Sequence, residues 1–170
     1  MSDFEMLFAV SHKQTLKFFA ERFQEISDEP LEKVELMYNA SLHAHYSQVS
    51  TFSETEFPML PNLSVLFDKF VYDTSMHRDV RMMETAAAQC LILSGFFEAQ
   101  QGRRHNIKWY AEIGQGFYEK AAGLSASKQE AQLFHLMNYK FEWWRKKHFE
   151  LSQDFRERPY LLRLPPAEGL

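Results

Sequence analysis

Apolar residues recur along this chain at intervals of three and four, the spacing that lines one face of a helix. The first such set is Leu16, Phe19, Ala20, Phe23 and Ile26. It follows Ser11 and Gln14, whose spacing matches a capping box, and predicts a helix over residues 11–26. Ser27-Asp28-Glu29-Pro30 is expected to end that helix and open the next. Asp28 would be the cap, and Pro30 would sit in the first turn, where its missing N–H has no partner to lose. The second stripe is Leu31, Val34, Tyr38, Leu42, His45 and Val49. The pattern lapses over 51–62, where Pro58 and Pro61 mark a connection, and a short helix is expected over 63–72.

Ser75 is the expected cap of a long helix over 77–101. Its small face (Ala86, Ala87, Ala88, Ser94, Gly95) invites a neighbouring helix to approach closely, and Gly102 should stop it in the left-handed conformation. Asn106 caps a further helix running to Ala122, with Gly123 as its stop. Ser127 and Glu130 form another capping box. One final helix carries Leu133, Met137, Phe141, Trp144, His148, Leu151 and Phe155 on a single stripe. Pro159 and Pro165-Pro166 leave residues 157–170 as a tail. No strand-like alternation, internal repeat or low-complexity segment interrupts this reading. The expectation is all-α: a single-domain bundle of about six helices over residues 1–156.

Composition sharpens the picture. At 170 residues the chain can bury a core without disulfides or a metal. Sixteen phenylalanines raise the aromatic fraction to 15%. Most aromatics fill cores, and a surplus lines a pocket or a partner surface. The net charge of −4 and a pI near 6.0 create no field that recruits nucleic acid. A single cysteine, Cys90, excludes an internal disulfide and a Cys-only zinc site. The start of the chain carries Asp3 and Glu5 where a secretory signal carries basic residues. The apolar run over 86–97 is too short to span a bilayer. These features lead us to expect a soluble cytoplasmic protein.

Candidate chemistry is sparse. His43 and His45 lie two apart, so on a helix they diverge by about 200° and cannot share a metal. His45, on the apolar stripe, is the one expected to be buried. His12, His105, His135 and His148 stand singly, and neither Glu-x-x-His pairs nor His-Glu-x-x-His occurs. No metal or other cofactor is expected. Glu98, His105, Glu112 and Glu119 share a seven-residue period, but the break expected at Gly102 should part them in space. Glu112, beside Trp109-Tyr110, is the best single acid; an exposed glutamate paired with Lys108 is the plainer reading. Cys90, among alanines and leucines, reads as an inert core thiol. Gly114 and Gly116 inside a helix cost about 2 kcal/mol against alanine, which close packing on the 86–95 face would offset. Arg103-Arg104 with Lys108, and Arg145-Lys146-Lys147 beside Trp143-Trp144, read as solvated helix ends.

The elements Leu93-Ser94-Gly95-Phe96-Phe97, Arg103-Arg104, Trp109-Tyr110 and Gly114 through Tyr118 together resemble a group of uncharacterised all-helical bacterial proteins. The resemblance covers about a fifth of the chain and implies a bacterial origin and a helical fold. It brings no activity and no site residue.

The reading that follows is a non-enzymatic helical interaction or regulatory module, with a protein partner or self-association and no nucleic acid. Phe52, Phe57, Trp109, Trp143 and Trp144 are the candidate contact residues, because exposed aromatics dominate binding energy. The alternative is a small-molecule- or metal-binding protein or enzyme with an aromatic pocket of Tyr38, His45, Tyr110 and Phe117. A nucleic-acid-associated regulator is a further alternative, resting on the basic clusters.

Overall fold

Seven helices and no strand make up the described residues of the computed structural model, as the periodicity requires. Described are residues 3–52, 75, 77–102 and 105–157, with side chains over 13–45, 75, 77–102 and 105–156. Phe57, the side chain of Phe52, the helix expected over 63–72, Arg103-Arg104 and the tail from 158 onward lie outside them. The helices are α1 (Asp3–Glu25), α2 (Lys33–Phe52), α3 (Val80–Ser94), α4 (Glu98–Gln101), α5 (Ile107–Leu124), α6 (Lys128–Tyr139) and α7 (Phe141–Glu157). They divide between two compact units. One holds α1, α2 and α7 from Glu150 onward; the other holds α3 to α6 and α7 as far as Phe149.

In the first unit α1 packs on α2. Helix α1 begins at Asp3, so Ser11 lies inside it and does not cap. Helix α2 begins at Lys33, later than Asp28 and Pro30 suggest. The intervening turn is held by Gln24. Its side-chain amide donates to the Glu29 carbonyl at 3.1 Å, and its carbonyl accepts from the Leu31 N–H at 3.0 Å. The expected stripe of α2 is not its inner face: Val34 is 57% exposed and His45 is exposed. Glu35, Asn39, Ala40, His43 and Ala44 are buried instead. His43 stacks on Phe19 at 5.1 Å between ring centroids and meets Phe23 at 5.7 Å. The small alanines leave room for that imidazole against two phenyl rings, and burial pushes its pKa down to about 3. Phe155 of α7 stacks on Phe18, and Asp154 pairs with the buried Arg22.

In the second unit α3 packs on α5, and α5 on α6. Asp79, not Ser75, caps α3, accepting from the N–H groups of Arg81 and Met82. The long helix expected over 77–101 breaks at Gly95. A Cβ there would lie 2.8 Å from the Arg145 carbonyl and 3.0 Å from the His148 Cβ, so the glycine permits α7 to pass close by. Gly102 ends the one-turn α4 in a right-handed conformation (φ −63°), not the left-handed one expected. Asn106 caps α5 as expected, accepting from the Trp109 N–H at 3.2 Å. The helix runs through Gly123 to Leu124 and does not stop at the glycine. Ser127 caps α6 as expected, accepting from the Glu130 N–H. The single last helix of the sequence reading is two, α6 and α7, parted at Lys140. Met137, Phe141, Trp144, His148, Leu151 and Phe155 are all buried, as their stripe demands.

Cys90 is buried beside Gly114, and burial raises its thiol to about 12. A Cβ on Gly114 would lie 2.8 Å from the Cys90 Cβ and 2.6 Å from the Phe141 Cζ. This is the close packing expected of the Gly114–Gly116 pair, but only the first glycine takes part. Gly116 has nothing within 4 Å.

Candidate functional site

Functional interest gathers on the first turns of α7. Lys140 leaves the helical path and restarts the chain as α7, whose successive residues then point about 100° apart. Phe141, Trp144 and His148 turn inward, so Glu142, Arg145 and Trp143 are divided between the flanks and the outer side.

Arg145 serves the inner flank. Its Nε and Nη2 donate to the two carboxylate oxygens of Glu142 at 2.8 and 2.7 Å, a bidentate fork. Its Nη1 donates to the Ser94 carbonyl at 3.0 Å and to Glu98 Oε1 at 3.3 Å. The hydrogen bond from Arg145 is the main reason the Glu142 carboxyl is held below the usual carboxylate range. Arg145 is therefore not a solvated helix end: it satisfies a carbonyl that the end of α3 leaves open. Beside it lies a pocket of about 580 Å³. Glu98 of α4, Lys108, Glu112 and Gln115 of α5, and Glu142 and Arg145 of α7 line it. Glu98 and Glu112 thus share one pocket despite the Gly102 break, because Asn106 restarts the helix only a few residues later. Glu112 is exposed.

Trp143 occupies the outer side at 37% exposure. The Lys140 ammonium lies 4.7 Å and that of Lys147 5.4 Å from its ring centroid, both within cation–π range. Trp144 meets the same ring edge-on at 5.0 Å and fixes it from the inner side. Tyr139, at the end of α6, is 87% exposed, and Lys146 is exposed as well. The result is an aromatic ridge dressed with ammonium groups. Trp143 is a candidate contact residue from sequence, and Lys140 is not. The signal was present, since residues 140, 143 and 147 fall on one helical face.

Trp144 is fully buried and is corrected from contact residue to core. Trp109 is 39% exposed, edge-on to Tyr110 at 5.0 Å. Of the four residues proposed for an aromatic pocket, Tyr110 and Phe117 are buried on α5, where Phe117 meets His77. Tyr38 is half-buried on α2, and His45 is exposed there. The pocket beside Arg145 includes none of the four, and Ile107 and Ala111 line it together with the charged side chains. Among the described residues no three His, Cys, Asp or Glu side chains gather as a metal site. No described helix is long and apolar enough to cross a membrane. No protein-family model, curated protein or solved structure matches the chain.

Proposed function

We propose that this chain is a non-enzymatic helical protein-interaction module of the bacterial cytoplasm, and that the Tyr139–Trp143 ridge is its contact face. The observation that carries the reading is Trp143: a large aromatic at the surface, fixed by Trp144 and flanked by two lysines. Trp anchors of this kind supply most of the energy of protein interfaces, and a prefixed ring loses little rotamer freedom on docking. Cys90, buried with a raised pKa, suits a reducing compartment. The resemblance of the 93–118 segment supports the bacterial assignment.

A photo-crosslinking residue placed at position 143 in cells tests the reading. One or a few discrete adducts are expected there, to a second copy or to another protein. A diffuse pattern equal to that from the exposed position of Glu119 overturns it.

A second reading rests on the pocket beside Arg145, whose three acids and two bases suit a small zwitterion. Thermal shifts with a panel of zwitterionic amines test it. An unmoved Tm throughout removes it.

A further inference from the structure

The chain carries an exposed surface complementary to its own ridge. It is the turn between α1 and α2, where Asp28, Glu29, Pro30, Glu32 and Lys33 are exposed and Val34 is 57% exposed. Three carboxylates against one ammonium leave it acidic, with Pro30 and Val34 as apolar faces beside the charges. The ridge offers the opposite: Lys140, Lys146 and Lys147 around Trp143 and Tyr139. From this we infer that the occupant of the ridge is a second copy of this chain, docking its 28–34 turn on the Trp143 face. The inference rests on the interaction-module reading and names the partner for it.

Both surfaces are shaped before they meet. The turn is pinned by the Gln24 amide at the Glu29 carbonyl and the Leu31 N–H, and by Ser27 Oγ donating to the Phe23 carbonyl at 2.8 Å. The Trp143 ring is held by Trp144 and the two lysines. Ordering costs on association are correspondingly small. Lysine ammoniums beside an aromatic floor match carboxylates beside a proline and a valine, so each charge pair would form next to apolar surface being removed from water. The overall charge of −4 opposes approach of two copies only weakly, since screening confines it to about 10 Å at 0.1 M salt. An acidic strand of nucleic acid fits the ridge less well. The three lysines are bounded by the exposed Glu142 and Glu150 and form no extended track.

The two patches differ, so every junction joins the turn of one copy to the ridge of another; a reciprocal two-fold pair uses both junctions at once, and a one-way contact continues into a ring or an open chain.

Sedimentation velocity of the full chain over a concentration series tests this, paired with charge reversal. The wild type should rise above its 20.1 kDa monomer mass as concentration increases. Raising salt from about 0.05 to 0.5 M should reverse the rise. Lys140→Glu with Lys147→Glu, and separately Asp28→Lys with Glu29→Lys, should each weaken association at least about tenfold. Mixed in equal amounts, the two reversed proteins should assemble again, because both junctions between unlike copies are then complementary. Lys128→Glu, at the exposed start of α6, should leave association unchanged. Asp28, Glu29 and Lys128 are exposed and Lys140 and Lys147 half-buried, and circular dichroism verifies that the variants fold. A wild type that stays monomeric at every concentration overturns the inference. So does association indifferent to both reversals, or a mixture that fails to reassemble. Discrete crosslinks from position 143 to another protein, with a monomeric wild type, would sink the second-copy assignment and leave the interaction module standing.

Discussion

Arg145 on α7 donates from Nη1 to the Ser94 carbonyl at 3.0 Å, so a side chain from one helix finishes the C-terminus of another. Its remaining hydrogen bonds go to Glu142 and Glu98, which neutralise the guanidinium next to a part-buried carbonyl. Removing Arg145 leaves two carboxylates near each other and the end of α3 without its donor. Arg145→Ala should destabilise the protein by about 2–4 kcal/mol, measured by urea denaturation. Arg145→Lys should recover only part of that, because an ammonium cannot serve the Glu142 fork and the Ser94 carbonyl together. A loss below about 0.5 kcal/mol in both variants would reduce the cluster to a surface ion pair.

Two glycines two positions apart on α5 should respond oppositely to the same change. At Gly114 the added methyl meets Phe141 and the Cys90 Cβ below 3 Å, and the latter is too close to the backbone to swing away. Gly114→Ala should cost about 1–3 kcal/mol. Gly116 has open space, so Gly116→Ala should stabilise by up to about 1 kcal/mol through helix propensity. Thermal denaturation of the two variants checks both signs. Equal effects would mean that α5 and α7 are not packed as described.

What could be read from sequence depended on whether a signal was local. The caps Asn106 and Ser127 and the inner stripe of α7 follow from neighbouring residues, and all three are present. The break at Gly95 is set by the backbone of α7 some fifty residues later, which no local pattern reports. On α2 the apolar stripe misled, because the inner face is small and polar. His43 is buried there by Phe19 and Phe23 of α1, and His45, on the apolar stripe, stays outside. The neighbours Trp143 and Trp144 point about 100° apart, so burying Trp144 on the inner stripe turns Trp143 toward the surface. The Lys140–Trp143–Lys147 face needed no tertiary information. Adjacency in sequence hides it, because Arg145 stands beside Lys146 and Lys147 in the chain yet faces the other way.

Cys90 should behave as a core methylene with a sulfur attached. Buried with a thiol pKa raised to about 12, it has almost no thiolate at neutral pH and no path for a reagent. Iodoacetamide at pH 8 should label it only as fast as the second unit opens, and denaturant should speed labelling by orders of magnitude. Mass spectrometry over a denaturant series reads the rate directly. Rapid labelling of the native protein would show a reactive, accessible thiol and overturn the reading of Cys90 as an inert core residue.

His43 makes the first unit sensitive to acid. Its folded pKa of about 3 lies below the ordinary imidazole value of 6.5, because burial against Phe19 and Phe23 disfavours the charged ring. The unfolded chain therefore binds a proton that the folded chain refuses between those two values. Stability is complete above pH 6.5 and declines as pH falls toward 3, with a slope approaching about 1.4 kcal/mol per pH unit from this residue. Substituting His43→Phe keeps an aromatic ring between the two phenyls and removes the proton. Urea denaturation from pH 7 to pH 4 should show the variant losing less stability than the wild type, with the difference growing steadily below pH 6.5. Parallel curves would mean that the imidazole is protonated in the folded state or reached by water, contrary to its position between α1 and α2.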